Sequence, residues 1–400
     1  MRILIRPRDG IREPEITERR GPEYLRKRLE WRRSEIDALW QRLATELRLT
    51  DEARALAERQ LVKMPAVGMI VIDDSVAPLE RLRNMGWLTP FAERPLPRPL
   101  MLMSGSDPSA ADPWHLATIN KPSGLDGGPV SIGVIDFGCN PASLDLAGFA
   151  PKFKRYDDAA GGLITAAPSD GSGTALHGSK VCSMLAGSIN GVAPSAMYLV
   201  AGVIAPDYET TQVMMAFALE WLFTETTGAH PDRPFGCDII STSLHTNGYG
   251  IPDSDDVEDL LLEAEGWHTL VVAAVGNGGA DNWQPPGSFS TVIAVGAVDI
   301  DRNVAWFSAY GSPTATVNKP DLLAPGFAVE FPTATGKELG EGTSFAAPIV
   351  AGAAALILQK QPNLRSDPVN FRNTLLSFVS NSTSPGTVQQ GSGICDLNGL

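Results

Sequence analysis

The sequence predicts a three-layer α/β protein, with a mostly parallel sheet between helices, preceded by a small α/β N-terminal domain with a long helix. From residue 129 onward, apolar runs of strand length alternate with helical segments. Near-continuous Val, Ile and Ala runs are typical of strands buried on both faces, and their alternation with helices is typical of parallel sheets. Before residue 103, apolar residues recur at helical spacing over about 22–49, which predicts one long amphipathic helix.

The first hundred residues contain enough elements for a small domain of their own. The predicted order is a strand (2–8), the long helix (22–49), a helix (51–63), a strand (66–73), a helix (76–85) and an extended segment through Trp87. Pro22 fits the first position of the long helix, where its missing N–H is not needed. Small and polar residues over 104–112 are typical of a flexible linker. We therefore predict an N-terminal domain over 1–103, a linker over 104–113 and a larger domain over 114–400.

The larger domain has the pattern of a parallel sheet covered on both faces. The predicted strands are Val130–Asp136, Ala196–Ile204, Asp238–Leu244, Thr269–Val275 and Val292–Val298, and the predicted helices cover about 178–188, 210–226, 254–266 and 345–360. In such sheets the functional site lies outside the carboxyl ends of the strands.

The charge of the 400-residue chain is unevenly divided. Residues 1–63 hold 16 of the 32 Lys and Arg and 12 of the 46 Asp and Glu, a balance of +4, and the remaining residues carry −18. An acidic body argues against nucleic acid as a partner. Opposite net charges favour attraction between the two parts, although two separately solvated surfaces would give the same composition.

Targeting signals and cysteines bear on the compartment. The N-terminus has no apolar stretch of signal-peptide length, and no apolar run approaches the roughly 20 residues of a membrane helix. The four cysteines, Cys139, Cys182, Cys237 and Cys395, are scattered without a paired spacing, which is not a disulfide framework. We therefore expect a cytoplasmic protein that has no membrane partner.

Three segments carry polar residues that a purely structural segment would not need. Asp136 ends a buried strand, where an aspartate is more often a turn former. His177 opens a helix of small residues, where it could be a structural cap. Ser344 begins an alanine-rich helix in the run Gly-Thr-Ser-Phe-Ala-Ala-Pro over 342–348; it could be an N-cap, but the helix dipole there also favours developing negative charge. Pro348 is unexpected in the first turns of an ordinary helix.

Together the three segments point to one chemistry. The chain order Asp, His, Ser is one of the known orders of the serine-protease triad. All three segments resemble the active-site signatures of the subtilisin-like serine proteases, the subtilases, and further matching segments extend the resemblance over about 105–400. One of them, Ala-Ala-Val-Gly-Asn-Gly over 273–278, is similar to the segment with the family's oxyanion asparagine. The resemblance implies a subtilisin-like catalytic domain over 114–400.

The resemblance also implies an activity. It implies a serine endopeptidase that hydrolyses peptide bonds of polypeptide substrates through an acyl-enzyme, without a required cofactor. The residues that it implies are Asp136, His177 and Ser344 for catalysis, Asn277 for the oxyanion, and Ser243, Leu244, His245 and Gly276 for substrate binding; no metal ligand is implied.

The sequence departs from the family pattern at three places. Phe137 replaces the usual Ser or Thr, whose hydroxyl can bond the catalytic carboxylate, so we expect lower activity. His245 and Thr246 replace two glycines that let a peptide backbone lie close, which predicts a narrowed specificity pocket; a histidine that binds acidic substrates is the other interpretation. The chain over 187–194 is short where the family's high-affinity calcium loop usually lies, so we expect that calcium site to be absent.

The N-terminal domain leaves two interpretations open. Its layout is compatible with an inhibitory subtilase prodomain whose apolar tail, 99–103, lies in the substrate cleft and is cut near Met103–Ser104. Its long charged helix could instead dock a partner protein. The departures in the catalytic domain also leave an alternative function open, a catalytically weak relative that acts as a regulatory or binding protein.

Overall fold

The N-terminal part of the chain forms one antiparallel sheet with helices on one face. The computed structural model describes residues 2–7, 21–83, 88–92, 95–96, 102–107, 112–203, 210–244, 255–314, 317–383 and 387–400. Its first elements are β1 (Arg2–Pro7), α1 (Gly21–Glu46), α2 (Asp51–Gln60), β2 (Val62–Met64), β3 (Met69–Asp73), α3 (Leu79–Arg83), β4 (Leu88–Ala92), β5 (Pro95–Leu96) and β6 (Leu102–Asp107). The sheet has the order β2-β3-β1-β4, and its neighbours are antiparallel.

This small sheet is apolar on both faces because it has two packing partners. Successive side chains of a strand point to opposite faces. Ile3 and Ile5 pack with α1 and α2 in a core of the N-terminal domain itself. Leu4, which lies between them, and its cross-strand partner Val71 belong instead to a core shared with the larger domain. One face of the N-terminal sheet therefore packs on its own helices and the other on the larger domain.

The remaining elements build the larger domain. They are α4 (Trp114–Thr118), β7 (Ser131–Asp136), β8 (Lys152–Asp157), β9 (Gly162–Thr165), α5 (His177–Ala186), β10 (Met197–Gly202), β11 (Thr210–Thr211), α6 (Gln212–Thr224), β12 (Ile239–Thr242), α7 (Asp255–Gly266), β13 (Leu270–Ala274), β14 (Ile293–Val298), β15 (Gly311–Thr314), β16 (Val317–Lys319), β17 (Leu322–Pro325), β18 (Val329–Thr333), β19 (Gly336–Glu341), α8 (Thr343–Lys360), α9 (Pro368–Ser377), β20 (Val379–Ser380), α10 (Thr387–Gln390) and β21 (Ile394–Cys395), with short 3₁₀ helices at Gly173–Ala175 and Pro362–Ser366.

A ten-stranded sheet runs through the larger domain. Its order is β20-β21-β17-β14-β13-β12-β7-β10-β8-β9, and only the pairs at its two ends, β20 with β21 and β8 with β9, are antiparallel. In the centre β7 pairs in parallel with β10 and β12, so their carboxyl ends meet at one edge. The predicted mostly parallel sheet between helices is confirmed.

Two cores cover the two faces of this sheet. One face packs against α5 and α8. The other packs against α6, α7 and the N-terminal domain. Helix α8 is, within the described ranges, the one helix long and apolar enough to cross a membrane, but 89% of that stretch is buried inside the protein.

The predicted and observed elements differ in both domains: strands β8, β9, β17, β20 and β21 of the large sheet lie outside the predicted strands, and further differences fall before residue 113. The second helix ends at Gln60 rather than at 63, and 62–64 form β2. Residues 104–107, which composition assigns to the linker, form the last four residues of β6 and pair with β19. For β6 the cause is main-chain pairing with a distant strand, which leaves little trace in local composition; β2 pairs instead with the nearby β3.

The N-terminal domain docks on α6 and α7 through buried polar contacts. The guanidinium groups of Arg28 and Arg32 on α1 form ion pairs of 2.9 and 2.7 Å with Glu263 on α7. The Trp267 indole donates to the Ala66 carbonyl oxygen at 3.0 Å, and the Arg28 guanidinium lies 4.4 Å from the Trp267 ring. Since both arginines are only 2% exposed, this interface is packed like the interior of the protein.

Candidate active site

Asp136 is the last residue of β7 and is completely buried at the carboxyl edge of the sheet. Its Oδ1 accepts the backbone N–H of Phe137 at 2.8 Å. Its Oδ2 has no hydrogen-bond partner within the described part of the chain. The hydroxyl that Ser or Thr at 137 could have donated is therefore not replaced by another group.

His177 is the first residue of α5 and faces Asp136. Its Nδ1 lies 2.8 Å from Asp136 Oδ1, and its backbone N–H donates to Ser172 Oγ at 2.8 Å. Because a carboxylate can only accept, we assign the proton to Nδ1, which leaves a lone pair on Nε2. That atom is buried and has no partner among the residues described. A side chain at Gly178 would collide with the Gly138 carbonyl oxygen, so only glycine lets α5 begin this close to β7.

Ser344 is the second residue of α8 and is 2% exposed. Its Oγ lies 3.4 Å from the Ser243 carbonyl oxygen, with no hydrogen bond between Ser344 and His177 in this state. Its backbone carbonyl would normally accept from the N–H of residue 348, but Pro348 has none. Ser243 Oγ donates to that carbonyl instead, at 2.8 Å. The unexpected proline thus ties the end of β12 to the first turn of α8.

Asn277 lies beside the start of α8 with its amide in a fixed orientation. Its Oδ1 accepts both the backbone N–H and the Oγ1–H of Thr343, each at 2.9 Å. The amide NH₂ therefore points away from Thr343. Residue 276 joins this arrangement, because the Gly276 N–H donates to Thr343 Oγ1 at 3.3 Å. Sequence reasoning missed Thr343 as an orienting residue, although its position next to Ser344 was a signal.

The structure brings most of the predicted site residues together. Asp136 and His177 are hydrogen-bonded, Ser344 contacts Ser243, and Asn277 contacts the residue before Ser344. Leu244 is buried at the end of the same segment as Ser243. His245, with Thr246, lies outside the described residues.

Aromatic rings flank the His177 imidazole on two sides. The Phe137 ring meets it edge to face with centroids 5.7 Å apart, and the Phe345 ring lies 5.8 Å away at a tilt of 39°. Both phenylalanines are 2% exposed. Phe137 thus provides ring contact with the imidazole where the usual residue provides a hydroxyl to the carboxylate.

Two cysteines near the site are buried thiols. Cys139 and Cys182 are fully buried and reduced. Hydrogen bonding with Cys139 and burial raise the pKa of the Cys182 thiol well above its ordinary value. Because the thiolate is the reactive form, Cys182 is unreactive in this environment.

The Asp145 carboxylate beside residues 187–194 is engaged by protein donors. The nearby Asp145 carboxylate accepts hydrogen bonds from Ser183 Oγ and from the N–H groups of residues 189 and 190, at 2.5, 2.9 and 2.8 Å. Lone pairs that accept these donors are not free for a cation, which needs six to eight oxygen ligands. Within the part of the chain that the structure describes, no group of three or more His, Cys, Asp or Glu side chains could hold a metal.

Two short strands of the N-terminal chain pair with segments of the larger domain. Strand β5 pairs antiparallel with β11, directly before α6. Strand β6 pairs antiparallel with β19, which ends three residues before Ser344. Residues 97–101 between them lie outside the described ranges, and this includes most of the predicted tail at 99–103. The six residue-to-residue spacings from Leu96 to Leu102 limit the distance between the Cα atoms of these two residues to at most roughly 20 Å.

Comparisons with known proteins give the family of the chain. A model of the subtilase family matches residues 127–393. The chain is 33% identical to subtilisin BL of Lederbergia lenta over 295 residues, which is 70% of this chain and 96% of that one. It is 30% identical to the subtilisin-like protease PopC of Myxococcus xanthus over 298 residues, 68% of this chain and 60% of PopC. In fold it is similar to the prenylagaramide maturation protease PagA, with a TM-score of 0.52 and 24% identity over 68% of this chain and 92% of that one. The chain belongs to the subtilase family, the subtilisin-like serine proteases.

Proposed function

We propose that this protein is a serine endopeptidase that hydrolyses peptide bonds with Asp136, His177 and Ser344, and that its N-terminal domain holds it inactive. The observation that carries the proposal is the 2.8 Å bond between His177 Nδ1 and Asp136 Oδ1. Among the residues described, it leaves His177 Nε2 as an unpartnered buried base at the sheet edge where α8 presents Ser344. General-base activation of a serine needs this arrangement.

The steps follow from the groups present. Ser344 Oγ leaves the Ser243 carbonyl, gives its proton to His177 Nε2 and attacks the substrate carbonyl carbon. Asn277 Nδ2–H and the Ser344 backbone N–H, at the positive end of α8, stabilise the oxyanion. Asp136 stabilises the imidazolium, which then protonates the leaving amine. The acyl-enzyme ester at Ser344 is hydrolysed by a water that His177 activates in the same way.

A labelled fluorophosphonate tests the nucleophile directly. After the chain has been cleaved ahead of the larger domain, we expect covalent labelling of Ser344 and hydrolysis of casein, and we expect neither from a Ser344→Ala chain treated in the same way. Labelling of another residue, or hydrolysis by Ser344→Ala at the wild-type rate, would remove the proposal.

A catalytically weak relative with a regulatory or binding role is the second candidate. Two observations favour it: Ser344 Oγ is bonded to Ser243 rather than to His177, and no donor to Asp136 Oδ2 is found in the described ranges of the chain. Nucleophile–base bonds are often long or unformed in structures without substrate, so we place it second. An intact, well-folded chain that neither reacts with the probe nor cleaves casein in any state would favour it.

Inhibition by the N-terminal domain is supported by the paths of β5 and β6. These strands pair with β11 and with β19, which ends three residues before Ser344, so a substrate that occupied the same segments would have to displace them. The buried face of α1 is occupied by α7, which favours the inhibitory role over docking of a partner protein by that face.

Self-cleavage can be tested by mass spectrometry of the wild type and Ser344→Ala. The sequence places the cut near Met103–Ser104, but these residues lie within β6, opposite Gly340 and Leu339. We therefore expect a wild-type cut between residues 96 and 102, which the Ser344→Ala chain lacks. An intact wild-type chain with full activity would contradict both inhibition and processing.

We also propose that the enzyme needs no calcium at 187–194, because the Asp145 carboxylate is occupied by three protein donors. A chelator should leave the thermal unfolding midpoint unchanged. A fall of the midpoint that added calcium reverses would show a site in this segment.

A further inference from the structure

A cavity of about 350 Å³ lies where the first turn of α1 meets the larger domain. On the side of the larger domain its walls are the loop 230–233, the turn at His268 and the 3₁₀ helix Pro362–Ser366. Ligand sites in proteins have volumes of about 300–1,000 Å³, so a small molecule fits here. Because the walls come from both domains, the complete cavity exists only while the N-terminal domain is docked.

The polar side chains of these walls are mostly basic. The larger domain contributes two arginines and two histidines: Arg233, Arg365, His230 and His268. Among the described residues of the lining Asp232 is the one carboxylate, and its side chain is 71% exposed, so solvent and salt screen its charge. Helix α1, which is 26 residues long, begins at the cavity, and the N-terminal end of a helix dipole attracts negative charge. The lining therefore favours an anion.

The two arginines share a single buried carboxylate. Arg365 Nε donates to Asp238 Oδ1 at 2.8 Å, and Arg233 Nε lies 3.8 Å from the same oxygen. All three side chains are at most 6% exposed. Two guanidinium groups and one carboxylate leave one net positive charge inside the protein. Since a buried charge is costly unless it is paired, an anion in the cavity would stabilise this cluster.

One donor of this cluster has no partner within the described part of the chain. Arg365 Nη1 is buried and unbonded, whereas Nε and Nη2 of the same planar group are fixed by Asp238 and by the Pro129 carbonyl oxygen, at 2.8 and 3.1 Å. The guanidinium is rigid, so Nη1 cannot turn toward another protein acceptor without breaking these bonds. Buried donors are nearly always bonded, and a purely structural arginine would need no spare one. Nη1 therefore points to an acceptor from outside the chain.

His230 supplies a second donor to the same lining. Its Nδ1 accepts the backbone N–H of Asp232 at 3.1 Å, so the neutral ring carries its proton on Nε2. A guanidinium and an imidazole that donate beside a helix N-terminus match the several acceptor oxygens and the double charge of a phosphate group.

We propose that this cavity binds the phosphate group of a small molecule through Arg365 Nη1 and His230 Nε2, and that the bound phosphate holds the N-terminal domain in place. A ligand that binds only the docked state stabilises that state by linkage. The binding itself does not depend on the proposed hydrolysis of peptide bonds. Its consequence for activity rests on the proposed inhibition by the N-terminal domain.

Binding is measured by isothermal titration calorimetry on the full chain with Ser344→Ala, at constant ionic strength in a buffer without phosphate. The probes are inorganic phosphate, glucose 6-phosphate and glucose. The test variant, Asn363→Asp, adds a negative charge to the lining with almost no change of shape. The matched control, Asn370→Asp, adds the same charge at an exposed position that does not line the cavity.

We expect a Kd of about 1 mM or tighter for at least one of the two phosphates, and no binding of glucose. Asn363→Asp should weaken this binding at least about tenfold, and Asn370→Asp less than about twofold. Tighter binding of inorganic phosphate would identify the free anion as the ligand, and tighter binding of glucose 6-phosphate would identify a phosphate ester. No binding of either phosphate, equal binding of glucose, or equal weakening by the two variants would overturn the site.

The effect on docking is measured by hydrogen exchange of the Ala66 and Val67 amides, which donate to Glu220 across the domain interface. At pH 7.5, and at a phosphate concentration of about 100 times the Kd, linkage predicts exchange that is about 100-fold slower. The same concentration should slow exchange only about tenfold in Asn363→Asp. A phosphate that binds without slowing exchange would overturn the role in docking. Failure of fluorophosphonate labelling at Ser344 would instead remove the proposed hydrolysis and leave this site standing.

Discussion

Pro348 decides how the backbone of the nucleophile is held. Because it has no N–H, the Ser344 carbonyl loses its intrahelical donor, and Ser243 Oγ supplies one at 2.8 Å. A buried carbonyl without any donor costs about 1–3 kcal/mol. Pro348 and Ser243 therefore depend on each other, although about a hundred residues of sequence separate them.

We predict that Ser243→Ala lowers the free energy of unfolding by about 1–3 kcal/mol, and by clearly less when Pro348→Ala is also present. In the Pro348→Ala background, the N–H of residue 348 can donate to the Ser344 carbonyl. Urea denaturation of the four proteins of this double-mutant cycle measures the coupling. Strictly additive losses would show that the two residues act independently.

His115 is a second residue whose role is visible only in the structure. It is completely buried, and its Nε2 lies 2.9 Å from the Asn190 carbonyl oxygen. Burial lowers its pKa to about 4. The neutral ring donates through Nε2, whereas a protonated ring would place a second N–H at Nδ1, which has no partner among the described residues.

This environment predicts a loss of stability in acid. In the unfolded chain the His115 side chain binds a proton below its ordinary pKa of about 6.5. In the folded protein it binds that proton only below its lowered pKa of about 4. The stabilisation is therefore complete above pH 6.5 and is lost, by roughly 3 kcal/mol, as the pH falls toward 4. Denaturant unfolding at pH 7 and 4.5 should show a smaller difference for His115→Gln than for the wild type. The partly exposed His230→Gln is the control, and an equal change in all three proteins would contradict the assignment.

At the scale of elements, β19 shows how closely a strand can approach the catalytic helices. Gly340→Ala would force its Cβ to within 2.6–2.7 Å of two phenylalanine rings. We predict a loss of about 1–3 kcal/mol in unfolding free energy and a lower kcat, because Phe345 adjoins the nucleophile. Gly124→Ala, at a position with no neighbour within 4 Å, should change neither quantity. A Gly340→Ala protein with wild-type stability would show that the strand moves freely.

Elements with strong local signals could be predicted from sequence. The central strands β7, β10, β12, β13 and β14 lie within the predicted apolar runs, and α8 begins within two residues of its predicted start. Buried Val and Ile runs, and a helix that is apolar all round, leave few alternatives. By contrast, β2 follows α2 with no turn signal, and β6 reads as a linker, because what makes it a strand is the distant β19.

The candidate site also has a part that motifs could predict and a part that they could not. The roles expected of Asp136, His177, Ser344 and Asn277 come from motifs. In the structure His177 is bonded to Asp136, and Asn277 contacts the residue before Ser344. The aromatic contacts of His177, the donor for the Ser344 carbonyl and the occupied Asp145 carboxylate depend on residues far apart in sequence. A single sequence contains no spacing that would predict them.

At the scale of the whole molecule, opposite charges meet where the N-terminal domain docks. The basic excess of residues 1–63 includes Arg28 and Arg32, which pair with Glu263 in the acidic body. A second carboxylate at this interface, Glu220 on α6, accepts the backbone N–H groups of Ala66 and Val67 at 2.7 and 3.1 Å. Burial raises its pKa to about 7, against the opposing effect of these N–H groups and of the nearby arginines on α1.

The Glu220 carboxyl makes docking of the N-terminal domain dependent on pH. Undocked and solvated, it would titrate near the ordinary value for glutamate, about 4.3; docked, it titrates near 7. The docked state therefore binds more protons between these values, so docking is strongest near pH 4.5 and weakens, by roughly 3 kcal/mol, as the pH rises to 7 and above.

We predict that the Ala66 and Val67 amides, after correction for intrinsic exchange rates, are better protected from hydrogen exchange at pH 5 than at pH 7.5. Glu220→Gln cannot ionise and should remove the difference. Protection in the wild type that is constant or rises with pH would mean that this carboxyl is already solvated in the docked protein.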